Sequence, residues 1–197
     1  ACLELLINLG INKNNIIVTD SKGVLYKGRP EKMDVSKQVY AIETDLRTLD
    51  DALEGADIFL GVSVAGLLKP EMVAKMVEDP LILALANPVP EIMPEEAKKV
   101  GVRIIGTGRS DLPNQINNVL GFPGIFRGAL DIKAREINES MKMAASYAIA
   151  SLVPENKLHE DYFIPTPFDR RIVPVVASEV ARVAIETKVA RDVNREL

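Results

Sequence analysis

Two periods alternate along this chain. Ala1 to Leu9, ACLELLINL, sets leucines at 3, 5, 6 and 9, close to helical spacing, and Gly10 stands where a helix of that length would close. NIIVTD, from Asn15 to Asp20, is a short β-branched run that predicts a strand ending in a carboxylate. TLDDALEGAD predicts a short helix, because Thr48 suits the N-cap, Asp51 lies three residues on, and Gly55 closes the turn. IFLGVSVAG, 58–66, predicts a buried strand with a small, flexible exit, and Lys69 to Val77 a helix with Pro70 in its first turn. LILALA, 81–86, is uniformly apolar, as a strand covered on both faces should be. PEEAKKVG, 94–101, reads as a helix bounded by proline and glycine, and VRIIG, 102–106, as the last strand.

Strands that alternate with helices from Asn15 to Gly106 imply an α/β fold with a Rossmann-type, doubly wound and mainly parallel sheet. Beyond Leu130 the pattern becomes helical. Ile137 to Leu152 predicts a long Ala- and Met-rich helix, and Val175 to Val189 a final amphipathic one, joined by an arm with four prolines. The expected division is a nucleotide-binding domain over 1–134 and a C-terminal helical segment over 135–197. The order helix, glycine, strand, Asp20 is the second half of a β-α-β dinucleotide unit, without the Gly-rich turn that should precede the helix. The first helix opens with no capping residue, so the expectation is that it continues something upstream.

Composition narrows the function. A length of 197 residues suits one sizeable core, or one domain with an appendage. With 24 basic against 28 acidic side chains, no net field would hold nucleic acid or an anionic membrane. The single Cys2 excludes an intrachain disulfide and the single His159 leaves no Cys/His metal cluster, which fits a reducing cytoplasm. No apolar run reaches the length of about 18 residues that a membrane span needs. A soluble, cytoplasmic protein is expected.

The candidate chemistry lies at strand ends. Asp20 can accept from a ribose hydroxyl, or simply form a turn. The small residues after the 58–61 strand let a flat ring approach the backbone, or only permit close packing. Asn87 follows the apolar strand and precedes Pro88, which keeps it extended at the strand tip, where open α/β sheets bind ligands; NPVP can equally be a rigid turn. TGRSDLPNQINNVLGFPGIFRGAL, 107–130, carries Asn114, Gln115, Asn117 and Asn118 before a helix expected near Ile125. Amides give donors and an acceptor without titrating, and so suit a hydroxy acid or a carboxamide. Asn114 and Gln115 are as well explained by turns. Asn117 and Asn118, flanked by Ile116, Val119 and Leu120, read as amides in an apolar neighbourhood that need partners. The basic groups of YKGR, 26–29, read as solvated surface, as do His159, Arg170 and Arg171.

VTDSKGVLYKGR, GADIFLGVSVAGLLKPEMV, ALANPVPEIMPEEA and GRSDLPNQINNVLGFPGIFRGALD, in this order, resemble the cofactor-binding domain of bacterial-type malic enzymes over most of Ile16 to Asp131. The resemblance implies oxidative decarboxylation of L-malate to pyruvate and carbon dioxide with NAD or NADP and Mg2+ or Mn2+. It matches Asn87 to a ligand of cofactor and substrate, and Asn118 to the residue reaching the substrate and the nicotinamide end, with Asn117 beside it. Asp20, Ser21 and Lys22 match the segment at the adenosine ribose, where an acid favours NAD and Lys22 suits the extra phosphate of NADP. The family's acid–base Tyr and Lys, its carboxylate metal ligands and its Gly-rich turn belong upstream of ACLELL. No catalytic or metal residue is therefore assigned here, and the expectation is a downstream piece of a longer chain, inactive and poorly folded alone. An upstream catalytic domain and a homodimer or larger assembly are implied. Another two-domain NAD(P)-dependent dehydrogenase, or a non-catalytic nucleotide-binding module, are the alternatives.

Overall fold

The computed structural model describes residues 2–191. The expected helix start at Ala1 and the end of the 135–197 segment, 192–197, lie outside the described residues. Helix α1, Cys2–Asn8, ends as expected: Gly10 takes φ +104°, and the Ile11 amide reaches back to the Leu6 carbonyl at 3.1 Å. The strand expected over 15–20 is corrected. Only β1, Thr19–Asp20, forms, and it pairs antiparallel with β2, Gly23–Val24, in a hairpin apart from the parallel sheet. β-branching favours an extended chain, but a strand exists only where its backbone finds a ladder partner, and here Thr19 pairs with Val24 and Asp20 with Gly23.

After a one-turn helix α2, Val35–Gln38, the chain builds its main layer. Helix α3, Leu49–Leu53, opens with the full reciprocal capping box between Thr48 and Asp51. β3, Ile58–Gly61, α4, Pro70–Val73, β4, Leu81–Ala84, α5, Pro94–Lys99, and β5, Ile104–Thr107, follow in turn. The three strands are parallel in the order β3-β4-β5, so that each helical crossover returns the chain to the same edge. Their register aligns Phe59, Ile82 and Ile105 in one buried row. Leu53 of α3 and Val73, Met76 and Ala97 of the crossovers pack against that row. Leu81 and Leu83, on alternate positions of β4, are only half-buried, so the expectation of equal cover on both faces gives way to one sealed face.

The remaining helices are α6, Phe122–Asp131, α7, Glu139–Ser151, and α8, Ile172–Glu186. Helices α6 and α8 each begin three residues before the expected start. Pro123 and Pro174 lie within the first turn, where an amide has no intrahelical partner to lose. The apolar core of this layer joins Leu120, Ala129 and Ile132 to Met141, Ala145, Val176 and Val180, so it begins before residue 134. Close approach of α6 to α8 depends on two glycines one turn apart. A Cβ on Gly124 would lie 2.6 Å from the Val176 Cβ, and one on Gly128 would strike the Ala177 carbonyl.

The proline-rich arm, 153–174, is fastened to the sheet by Asn114. This amide is buried with φ +51°, donates from Nδ2 to the carbonyls of Ile105 (3.2 Å) and Glu160 (2.7 Å), and accepts the Phe163 amide at Oδ1 (3.0 Å). A turn role alone therefore does not describe it. Asparagine tolerates the left-handed backbone, and its amide joins two segments 46 residues apart. Lys98–Asp161 and Arg103–Glu160 ion pairs flank the join, at 3.2 and 3.5 Å. His159 is exposed, as expected.

Gly128→Val should force α6 from α8 and destabilise the protein by about 1–3 kcal/mol, the usual range for overpacking. Urea unfolding of the full-length protein checks this, and an unchanged midpoint would show that the two helices do not meet as described.

Candidate functional site

The carboxyl ends of β3, β4 and β5 lie on one edge; Asn87 comes three residues after β4 and Asn118 eleven residues after β5. β4 and β5 pair through Ala84↔Thr107 at their last residues. Asn87 follows β4 by three residues, on the far side of Leu85 and Ala86, and its bond to Pro88 is cis. Its side chain is exposed. The chain leaving β5 first bends back, as Thr107 and Gln115 form a parallel bridge, and Ile116 donates to the Thr107 carbonyl at 2.8 Å. This brings Asn117 and Asn118 to a one-turn 3-10 helix, Asn118–Leu120, directly before α6.

Both asparagines of that pair are exposed, which corrects the view of them as amides in an apolar neighbourhood. The apolar demand of this stretch is met by Leu120, which turns into the helical core, while its neighbours face out. Turn chemistry does account for Asn117: it is the N-cap, and its Oδ1 accepts the Val119 amide at 3.0 Å. Among the described residues, no other protein group engages the side-chain amides of Asn87 or Asn118.

Asp20, Ser21 and Lys22 form the turn of the β1–β2 hairpin. Asp20 is occupied on every side. Oδ1 accepts the Lys22 amide (2.9 Å) and Arg29 Nη1 (3.0 Å), and Oδ2 accepts Arg29 Nη2 and Lys37 Nζ, both at 2.7 Å. The bidentate Arg29 pair, with further help from Lys37 and the Lys22 amide, holds the Asp20 carboxyl far below the usual carboxylate range despite its partial burial. Asp20 in turn raises the Arg29 guanidinium above its ordinary value. Arg29 is buried, which corrects the expectation that YKGR is a solvated surface; the later part of that stretch returns under the hairpin, and Arg29 also donates to the Gly23 and Val24 carbonyls at 3.3 and 3.2 Å. Ser21 and Lys22 remain exposed.

Sequence reading also passed over Glu91. It is wholly buried, and its carboxyl accepts the Ser63 amide at Oε1 (2.7 Å) and the Ala86 amide at Oε2 (3.0 Å), so it spans the exits of β3 and β4. An acid one residue after a proline looks like loop surface, and only the fold reveals that both neighbouring exits turn an amide toward it. Among the described residues no three His, Cys, Asp or Glu side chains gather in a metal-binding group. No described helix is long and apolar enough to cross a membrane.

A short parallel sheet crossed by helices, with exposed polar side chains beyond its carboxyl ends and a separate charged hairpin, has the form of a Rossmann-like nucleotide-binding domain. The family "Malic enzyme, NAD binding domain" matches residues 10–185. The bifunctional malic/malolactic enzyme of Bacillus subtilis is 55% identical over 97% of this chain and 47% of its own length. The NADP-dependent malic enzyme of Escherichia coli is 52% identical over 96% of this chain and 27% of its own. The crystal structure of Entamoeba histolytica malic enzyme superposes with a TM-score of 0.90 at 37% identity, covering 98% of this chain and 42% of that one. This chain belongs to the malic enzyme NAD-binding domain family, and spans about half or less of these relatives' lengths.

Asp20→Asn removes one charge of the pair and leaves the Arg29 cation buried, which should cost about 3–5 kcal/mol near neutral pH. Because the folded carboxyl titrates below the unfolded one, this contribution is complete above the unfolded value of about 4 and is lost as pH falls toward the folded one. Urea unfolding across pH should show the gap between wild type and variant closing only below about pH 4. A gap that does not depend on pH would mean that the pair is not charged as described.

Proposed function

We propose that this chain is the cofactor- and substrate-binding portion of a malic enzyme, which oxidatively decarboxylates L-malate to pyruvate and carbon dioxide with NAD or NADP. The observation that carries this reading is the pair of unengaged amides, Asn87 and Asn118, at neighbouring exits of a sheet that belongs to the malic enzyme family. A carboxamide donates and accepts at fixed directions, and so fits the nicotinamide carboxamide and the carboxylate and hydroxyl of malate. Asn117 contributes its remaining amide protons beside them.

The donor set fits a dinucleotide. Asn87 and Asn118 would hold its nicotinamide end against the substrate. Ser21 and Lys22, exposed on the hairpin, would meet the adenosine ribose. The four acceptor positions of Asp20 are already taken, so its part in cofactor binding is to hold that turn in place through Arg29 and Lys37. When bound, the nicotinamide supplies the hydride acceptor for C2 of malate. This chain's own contribution is proximity: it orients the two reacting carbons. The acid, the base and the ligands of Mg2+ or Mn2+ come from an upstream catalytic domain in this reading. A cytoplasmic homodimer or larger assembly completes it.

Asn118→Ala in the full-length protein should lower malate turnover by about 100-fold, the scale on which misplacing a bound substrate is felt, while thermal unfolding stays as in wild type. Steady-state kinetics with either dinucleotide is the measurement. Unaltered kinetics would exclude Asn118 from the site.

A further inference from the structure

The exits of β3 and β4 are laced together around one carboxyl group that the proposed chemistry does not use. Besides the two side-chain bonds to Ser63 and Ala86, the Glu91 carbonyl accepts the Leu68 amide at 3.0 Å, and the Pro90 carbonyl accepts the Gly66 amide at 3.1 Å. Residues 63–68 and 86–91 are thus stitched side to side. Gly61 makes room for the join, since a Cβ there would lie 2.5 Å from the Glu91 Cδ and Oε1. Packing does not require an acid at such a place, and a buried carboxyl is costly unless it is hydrogen-bonded. What an acid supplies is two acceptor oxygens with no obligatory donor. Glutamine would turn an NH2 group toward one of the two backbone amides and leave that amide without an acceptor.

The two amides held by Glu91 belong to functional neighbours. Ala86 directly precedes Asn87, and Ser63 lies between Val62 and Val64, whose side chains are 74% and 62% exposed beside the same edge. The carboxyl therefore fixes the gap between an apolar ledge and a carboxamide, the two surfaces a nicotinamide ring needs for its face and for its amide. We propose that Glu91 is a positioning residue for the nicotinamide half of the cofactor, acting through Ser63 and Asn87 without contact of its own. This rests on the functional reading above. The adenosine half, on the β1–β2 hairpin, shares no hydrogen bond with Glu91 and is outside its reach.

The test compares Glu91→Gln and Gly61→Ala with wild type in the full-length protein. Calorimetric titration with the dinucleotide, and with ADP-ribose carrying the same 2′ substituent, separates the nicotinamide contribution from the rest. The expected result is a loss of about 10- to 100-fold in dinucleotide affinity, the scale of one hydrogen bond to a charged group, with ADP-ribose affinity unchanged. Amide hydrogen exchange should quicken at Ser63 and Ala86 and not in the hairpin. Should Glu91→Gln fail to fold, Gly61→Ala decides, since it keeps the acid and displaces it from its donors; Phe59→Leu, made beside it, relieves the contact of the new Cβ with the Phe59 ring. Equal weakening of both ligands would reduce Glu91 to a fold-holding residue, and unchanged affinities would remove its role; either overturns the proposal. Wild-type protein that binds no dinucleotide would instead overturn the functional reading itself.

Discussion

A parallel ladder stops abruptly, and the backbone groups beyond its last pair must find other partners. The carboxyl edge of the sheet is the outcome of that constraint at three strand ends. The exits of β3 and β4 give their amides to Glu91. The exit of β5 turns back on itself: the Thr107 carbonyl receives the Ile116 amide, the Thr107 hydroxyl receives the Arg109 amide at 3.2 Å, and Asn114 takes the Ile105 carbonyl. With their backbones satisfied internally, these loops leave the Asn87 and Asn118 side chains exposed and unengaged by other protein groups. The order matters, because a carboxamide used to mend its own loop, as Asn114 and Asn117 are, has less to offer to anything else.

The charged hairpin follows the same logic with a different currency. Asp20, Arg29 and Lys37 satisfy one another almost completely, and the surrounding backbone shares in the arrangement. Its product is a rigid turn that displays Ser21 and Lys22 to solvent. Acidic and basic groups placed together here account for local rigidity, whereas the mild overall excess of 28 acidic over 24 basic side chains sets no strong external field.

Much of the scaffold was legible because its signals are local. Thr48 and Asp51 cap a helix as their spacing announces, Gly10 and Gly101 adopt the left-handed backbone that ends one, and the apolar run 81–86 contains a strand. What escaped the sequence depends on partners distant along the chain. Ile16 to Val18 had strand propensity but no ladder in the parallel sheet. Arg29 read as surface until the hairpin closed over it, and Asn114 needed an arm 46 residues away to reveal its purpose. Glu91 depends on an amide 28 residues upstream. Within the candidate site, then, the exposed amides were readable by their place after strands, and the groups that hold those places were not.

The central claim is that Asn87 and Asn118 face one pocket at the carboxyl edge of the sheet. A crystal structure of the full-length protein with dinucleotide and a malate analogue tests it most directly. The account predicts both side-chain amides within hydrogen-bonding distance, about 3 Å, of the nicotinamide or the analogue. Either amide turned from the ligand, or a dinucleotide seated away from the β3–β5 exits, would contradict it.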